Sequence, residues 1–214
     1  MKNKLHDYRK LYQKHRLLEE EIPHDPFELF HLWLQEIEAG REVEEVNTMT
    51  LSTISRDGFP KSRVVLLKEY DNEGFVFYTN YGSEKGKAIE QHPKVCLSFF
   101  WPASERQVIV RGIAQKTPEE QSETYFKSRP RESQLGAWAS QQSSVIPSRE
   151  FLEKKMQILE KQFDGKEIPK PVYWGGYKVI PSHFEFWQGR PSRLHDRIYF
   201  SKENSGWKID RLAP

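Results

Sequence analysis

Apolar positions recur along this chain with two different periods, and the changes from one to the other mark out its elements. In DPFELFHLWLQEIEAG, Phe27, Phe30, Leu34 and Ile37 form one helical stripe. Asp25 is placed to cap that helix, Pro26 suits its first position, Glu28 falls where a capping box wants it, and Gly40 ends it. From Asn47 the period drops to two. NTMTLSTIS, the turn RDGFP, KSRVVLLKEY, the turn DNEG and FVFYTN predict a meander of three antiparallel strands. SEKGKAIEQHP predicts a short helix stopped by Pro93, and VCLSFFW and RQVIVRGIAQK predict two more strands joined by PASE. TPEE reads as another capping box, opening a helical stretch that is broken at Pro130, and a further helix runs from about Ser148 to Phe163. YKVIPSHFEFWQG, RLHDRIYF and, after the turn SKENSG, WKIDRL predict three closing strands.

Strands joined by hairpin-length links, with few helices between them, predict a mainly β fold with flanking helices: an antiparallel barrel or sandwich, not a doubly wound sheet. There is no internal repeat, low-complexity tract or separating linker. Residues 23–214 therefore read as one domain. Residues 1–22, charged with scattered Leu and Tyr, read as an arm that is either a marginal helix or flexible.

Composition removes several function classes. No window approaches the ~18 uninterrupted apolar residues of a membrane span. The 33 basic and 31 acidic residues nearly balance, which argues against a nucleic-acid surface. The single cysteine, Cys96, excludes an intramolecular disulfide, and the N-terminal stretch has no apolar signal core, so the cytoplasm is the expected compartment. No phosphate loop, dinucleotide fingerprint, HExxH, thiolate zinc set or GxSxG elbow is present, and no metal is expected.

What remains is a set of basic and hydroxyl residues at element ends. Arg63 and Lys68 bracket an apolar run, and strand parity puts them on opposite faces; both faces being apolar suits a wall that also meets a second subunit, while taken alone the two charges read more simply as solvated strand ends. GSEKGK places Lys85 at a helix start, where free N–H groups can hold a phosphate, although taken alone a plain helix cap is the simpler reading. Tyr125, Arg129 and Ser133 are four apart, but Arg129 precedes Pro130 and is biased out of the helix, so a bend and a new helix start near Ser133 are expected. In RPSRLHDRIYF, parity puts Arg193, His195 and Arg197 on one face, with Leu194 and Ile198 towards the core and Asp196 unexplained. Three separated segments offering anion-binding groups on a near-neutral chain point to a phosphorylated small molecule.

The motifs RVVLLK, FYTNYGSEK, ERQV, YFKSRPRESQLGAW, QQSS, FWQG, RLHDR and WKIDRLAP, in this order from about Pro23 to Pro214, resemble the pyridoxine/pyridoxamine 5'-phosphate oxidase family of FMN-binding split barrels. The resemblance implies a homodimer with FMN at the subunit interface. It implies FMN contacts from Arg63, Val64, Val65, Leu66, Leu67, Lys68, Tyr78, Thr79, Lys85, Gln107, Gln142, Ser143, Trp187 and Arg197. The substrate phosphate would be gripped by Lys68, Tyr125, Arg129 and Ser133, with Arg193 and His195 facing the pyridine ring as the catalytic pair, and with Arg9 and Tyr12 of the arm folding over it. The implied reaction turns pyridoxine 5'-phosphate or pyridoxamine 5'-phosphate into pyridoxal 5'-phosphate, the last step in making this B6 cofactor. Hydride passes from C4' to flavin N5, and O2 is reduced to hydrogen peroxide. The alternatives are a split-barrel flavoenzyme with another substrate and a non-catalytic carrier of FMN or pyridoxal phosphate. The chain departs from the family pattern at Glu84, where arginine is common; a carboxylate beside a phosphate is repulsive unless it turns outward or pairs with a neighbour such as Lys87.

Overall fold

The computed structural model describes residues 5, 10–41 and 43–214. Among these, five α-helices and nine β-strands follow in the order α1 (Pro26–Gly40), β1 (Thr48–Ile54), β2 (Pro60–Leu66), β3 (Glu69–Asp71), β4 (Gly74–Asn80), α2 (Glu84–Gln91), β5 (Lys94–Trp101), β6 (Arg106–Lys116), α3 (Glu119–Ser128), α4 (Arg131–Ala139), α5 (Arg149–Gln162), β7 (Trp174–Gln188), β8 (Asp196–Glu203) and β9 (Gly206–Arg211). The sheet order is β2-β1-β5-β6-β7-β4-β3, with β8 on β7 and β9 on β8. The pairs β3–β4, β4–β7, β7–β8 and β8–β9 are antiparallel; β3–β4 and β8–β9 are the short hairpins the sequence predicts, whereas β4 and β7 lie far apart along the chain. No described helix is long and apolar enough to cross a membrane.

The chain divides into two compact units built from interleaved segments: Met1–Met49, Leu97–Arg111 and Pro181–Pro214 in the first, Thr50–Cys96 and Gly112–Ile180 in the second. The first unit is organised by α1. Asp25 caps it by accepting from the Phe27 N–H, and Pro26 occupies its first turn. Its buried stripe is Phe27, Leu29, Phe30, Trp33 and Ile37, with Leu34 only half-buried. These rings meet the sheet edge-on: Phe27 on Phe184 at 5.2 Å, Phe30 on Phe99 at 5.0 Å and Trp33 on Phe186 at 5.2 Å. Gly40 is still helical, and Arg41 takes the left-handed cap conformation in its place.

In the second unit the expected three-strand meander holds for its first hairpin, β1 with β2, but β4 does not join it as the third strand. KSRVVLLKEY is not one strand: it breaks at Leu67 and Lys68, where the Lys68 N–H donates to the Val76 carbonyl (2.8 Å). β2 consequently lies beside β1, while β4 pairs with β3 and β7. The predicted TPEE capping box is also missing, because Pro118 stands at the cap position of α3 and the Thr117 hydroxyl bonds Ser122 at 2.9 Å. The break at Pro130 is where the sequence puts it: α3 ends at Ser128, Arg129 is extended, and α4 starts at Arg131. Behind this bend Phe126, Leu135, Phe163, Ile168 and Trp174 form a compact apolar cluster.

Helix α2 can sit where it does only because it carries Gly86. A Cβ there would lie 2.2 Å from the Tyr81 carbonyl oxygen, a backbone atom that cannot swing aside. Gly86→Ala should therefore cost about 1–3 kcal/mol of folding stability through forced displacement, read as a lower urea midpoint with an unchanged m-value.

Candidate active site

A cavity of about 640 Å3 in the second unit collects most of the residues expected to bind ligand. β2 supplies Arg63, Val64, Val65 and Leu66, and the break after it supplies Lys68. β4 adds Tyr78 and Thr79, α2 adds Lys85, and the α3–α4 bend adds Tyr125, Arg129 and Ser133, with Gln142 following α4. Parity puts Arg63 and Lys68 on opposite faces, yet both reach the cavity, because the strand ends between them. Leu67 does not line the cavity and is 4% exposed in the core. Ser143 does not line it either; at a left-handed φ of 73° its hydroxyl accepts from the Glu84 N–H (3.3 Å).

Arg63, Lys68, Lys85 and Arg129 thus share one cavity, and no carboxylate is among its described lining residues. Arg63 is held by two hydrogen bonds, from Nη1 to the Leu51 carbonyl (3.1 Å) and to Thr53 Oγ1 (2.8 Å). Lys85 Nζ donates to Gln142 Oε1 (3.0 Å) and Thr79 Oγ1 (3.2 Å). Burial, reinforced by the charge of Arg63, pushes the Lys85 ammonium down to about 8, with Glu84 opposing the shift. Burial also lowers Arg63 and Arg129. The Glu84 carboxylate is held by Lys61 Nζ, at 2.7 and 2.5 Å to its two oxygens, so Lys61 on β2 is its partner and not Lys87.

Flat aromatic rings make up another part of the wall. Tyr78 stacks on Tyr125 at 3.9 Å and on Trp174 at 5.5 Å, and the Arg129 guanidinium lies 4.7 Å from the centre of the Trp174 ring. The Tyr78 hydroxyl donates to Glu69 (2.9 Å). Arg129 Nη1 is buried and, among the described residues, has no hydrogen-bond partner. Asn80, Gly136, Ala137, Ser140 and Trp174 also line the cavity and carry no local signal of it. Trp174 arrives through strand pairing: it opens β7 opposite Asn80, with Gly175 opposite Thr79.

In the first unit Tyr12, Trp187 and His195 form an aromatic group. Tyr12 meets Trp187 at 5.8 Å and His195 at 5.5 Å, both edge-on, and Trp187 and His195 are 4.7 Å apart. His195 Nδ1 accepts from the Arg190 N–H (3.0 Å), which assigns the ring proton of neutral imidazole to Nε2. Burial, then the charge of Arg193, lowers the His195 pKa, against Asp196. β8 begins only at Asp196, so the parity row does not hold as drawn. Arg193 ends a 3-10 turn, with Ser192 and Arg193 both left-handed (φ 57° and 63°), and Leu194 is 69% exposed, not in the core. Ile198 is buried as expected. Arg197 donates from Nε to Glu185 (2.8 Å), and Gln107 Nε2 donates to Ser98 (3.0 Å). Asp196 has its explanation within the chain, accepting from the Leu17 N–H (3.1 Å) and Arg211 Nη1 (2.9 Å). Arg9 lies outside the described residues.

Clustered cations without an internal acid, a buried guanidinium N–H lacking an acceptor, and a flat aromatic wall fit phosphorylated ring ligands, flavin mononucleotide among them. A mainly β antiparallel fold carrying such a cavity defines a binding protein for phosphorylated aromatic molecules. Comparison with known proteins agrees. Residues 35–162 match the family model described as pyridoxamine 5'-phosphate oxidase, and residues 174–214 match the pyridoxine 5'-phosphate oxidase C-terminal dimerisation region. The chain is 61% identical over 212 residues to the pyridoxine/pyridoxamine 5'-phosphate oxidase of Flavobacterium johnsoniae, covering 99% of each. Its fold is similar to that of PhzG from Burkholderia lata, solved in complex with tetrahydrophenazine-1-carboxylic acid (TM-score 0.86, 27% identity, 92% of this chain and 98% of that one). An FMN-binding, pyridoxamine 5'-phosphate oxidase-related protein from Nostoc punctiforme shares the fold at TM-score 0.69 and 12% identity, over 91% of this chain and 99% of that one. The chain belongs to the pyridoxine/pyridoxamine 5'-phosphate oxidase family, and its fold is the family's split barrel.

Because the charge of Arg63 helps to lower Lys85, Arg63→Gln should raise the Lys85 pKa. So should inorganic phosphate bound in the cavity, since an anion favours the ammonium. Lysine-labelled NMR titration reads both shifts, and a downward shift in either case would contradict this account.

Proposed function

We propose that this chain oxidises pyridoxine 5'-phosphate and pyridoxamine 5'-phosphate to pyridoxal 5'-phosphate as a homodimer with FMN as cofactor. The observation that carries the reading is the shared cavity of Arg63, Lys68, Lys85 and Arg129, with no carboxylate among its described lining residues. Bound here, FMN would supply the redox chemistry, a two-electron oxidation at C4' of the substrate with O2 as final acceptor and hydrogen peroxide as its product. The pyridoxine form then needs only to lose its hydroxyl proton, and the pyridoxamine form consumes water and releases ammonia.

The chain's own residues bind and orient. Arg63 and Lys85, with Thr79 and Gln142 holding the lysine, take the FMN phosphate, and Val64 to Leu66 form a wall for the ring. Tyr78, Gln107, Ser143, Trp187 and Arg197 are the further FMN candidates. Lys68, Tyr125, Arg129 and Ser133 take the substrate phosphate, where the unsatisfied Arg129 N–H gains its acceptor. Arg193 and neutral His195 face the pyridine ring, His195 offering an N–H donor from Nε2 and Arg193 a positive charge. Their role is positioning and not acid–base chemistry. Val64, 66% exposed on β2 although it lines the cavity, suits an apolar surface covered by a second copy. A carboxylated substrate such as the ligand of the Burkholderia lata protein would make less use of a grip built for a phosphate.

The purified protein should be yellow, or become so with added FMN, and should form aldehyde from pyridoxine 5'-phosphate only when oxygen is present; a colourless protein inert after FMN addition would refute the proposal. Arg129→Met should raise KM for the phosphorylated substrate by about tenfold or more while leaving the flavin spectrum intact. FMN affinity should also depend on pH. The phosphate requires the Lys85 ammonium, which in the free site loses its proton near 8. FMN binding measured by flavin fluorescence should weaken above pH 8, by at most about tenfold per pH unit, and Lys85→Met should remove that slope.

A further inference from the structure

We infer that Glu105 is a positioning residue that docks the N-terminal arm and so sets Tyr12 against His195. Glu105 is 2% exposed and sits at a left-handed φ of 57°, unusual for a non-glycine residue, in the link between β5 and β6. Its carboxylate Oε2 accepts from the backbone N–H groups of Gln13 (2.9 Å) and Lys14 (3.1 Å), and Oε1 lies 3.5 Å from Lys10 Nζ. The Lys10 ammonium also donates to the Pro102 carbonyl (3.1 Å) in the same link. Burial alone would raise the carboxyl, but the two amides and Lys10 outweigh it and hold the pKa low. The backbone of Glu105 is fixed in turn, its carbonyl accepting from Gly189 N–H (2.7 Å) and Gln188 Nε2 (3.2 Å).

Tyr12 lies between these anchored residues and completes the socket. A Cβ on Gly189 would come within 2.7 Å of the Tyr12 ring and 3.0 Å of the Glu105 Cβ, so only glycine lets the ring sit there. The arm has other ties further along. The His15 carbonyl accepts from Arg190, and Leu17 bonds Asp196 and Arg211. With Glu105 neutralised the arm would remain attached from His15 onward, while the backbone on either side of Tyr12 would lose its anchor and the ring would be left with its aromatic contacts to Trp187 and His195 alone among those described. The kinetic part of this inference rests on the proposed reaction, in which His195 faces the substrate ring. The docking part does not.

Two variants of the full-length FMN-loaded protein test it. Glu105→Gln replaces an acceptor of two N–H bonds by an amide that cannot neutralise Lys10. Gln13→Pro removes one of the donated N–H groups from an exposed position, keeps the preceding residue in extended conformation, and leaves Glu105 and Gly189 unchanged. Both should raise KM for pyridoxine 5'-phosphate roughly fivefold or more with kcat within about twofold. Both should also speed tryptic cleavage after Lys10 or Lys14 at an unchanged thermal midpoint. Wild-type KM and wild-type cleavage in both variants would overturn the inference. So would a loss of kcat and thermal stability in Glu105→Gln with Gln13→Pro behaving as wild type, since Glu105 would then be a core residue only. If the wild-type protein fails to oxidise the substrate, the proposed function falls, and the cleavage rates still decide the docking.

Discussion

Positive charge kept in a partly dehydrated cavity, without a carboxylate inside to neutralise it, is the constraint on which this molecule turns. Removing a cation from water is costly unless a partner restores what hydration supplied. The chain leaves that cost standing at Arg129, whose buried Nη1 has no acceptor among the described residues, and at Lys85, whose proton is loosened by burial and by Arg63. The nearby acids are occupied elsewhere: Glu84 is held by Lys61, and Glu69 accepts from Tyr78 and Gln121. An anionic ligand therefore meets donors with little competition, and its binding relieves a cost already present in the free protein.

That arrangement depends on places where regular structure stops. Lys68 reaches the same cavity as Arg63 because β2 ends before it. Arg129 is extended because Pro130 follows, which turns its guanidinium across Trp174 and away from the helix surface. In the other unit, Ser192 and Arg193 take left-handed backbone conformations just before the His195 position, and Glu105 does so under the arm. Non-glycine residues in that region carry strain that the surroundings must hold in place. Here the surroundings are specific: the Gly189 and Gln188 donors for the Glu105 carbonyl, and the Arg190 amide for the His195 ring.

Elements whose character is set by neighbours in sequence were legible in the sequence. Helix α1 with its Asp25 cap, the strands from β4 to β6, the short α2 before Pro93, the break at Pro130 and α5 from Ser148 all follow from period, caps and prolines, because these are local steric and hydrogen-bonding choices. Lys68, Lys85, Arg129 and Ser133 were legible for the same reason, standing at or beside element ends, whereas Arg63 lies within β2 and Tyr125 within α3.

Partnership across long separations was not legible. Nothing near Trp174 marks it as a wall of the cavity until β7 pairs with β4, and nothing near Asp196 names Leu17 and Arg211 as its partners. Parity misled for RPSRLHDRIYF because alternation holds only while the backbone stays extended, and here the strand starts three residues after Arg193. Sequence by itself determined which residues have the chemistry to hold a phosphate and an aromatic ring. Tertiary structure decided which of them share a cavity, which acids are drawn off to other partners, and where the backbone leaves its regular path, because those outcomes depend on strand pairing and packing between residues far apart in the chain.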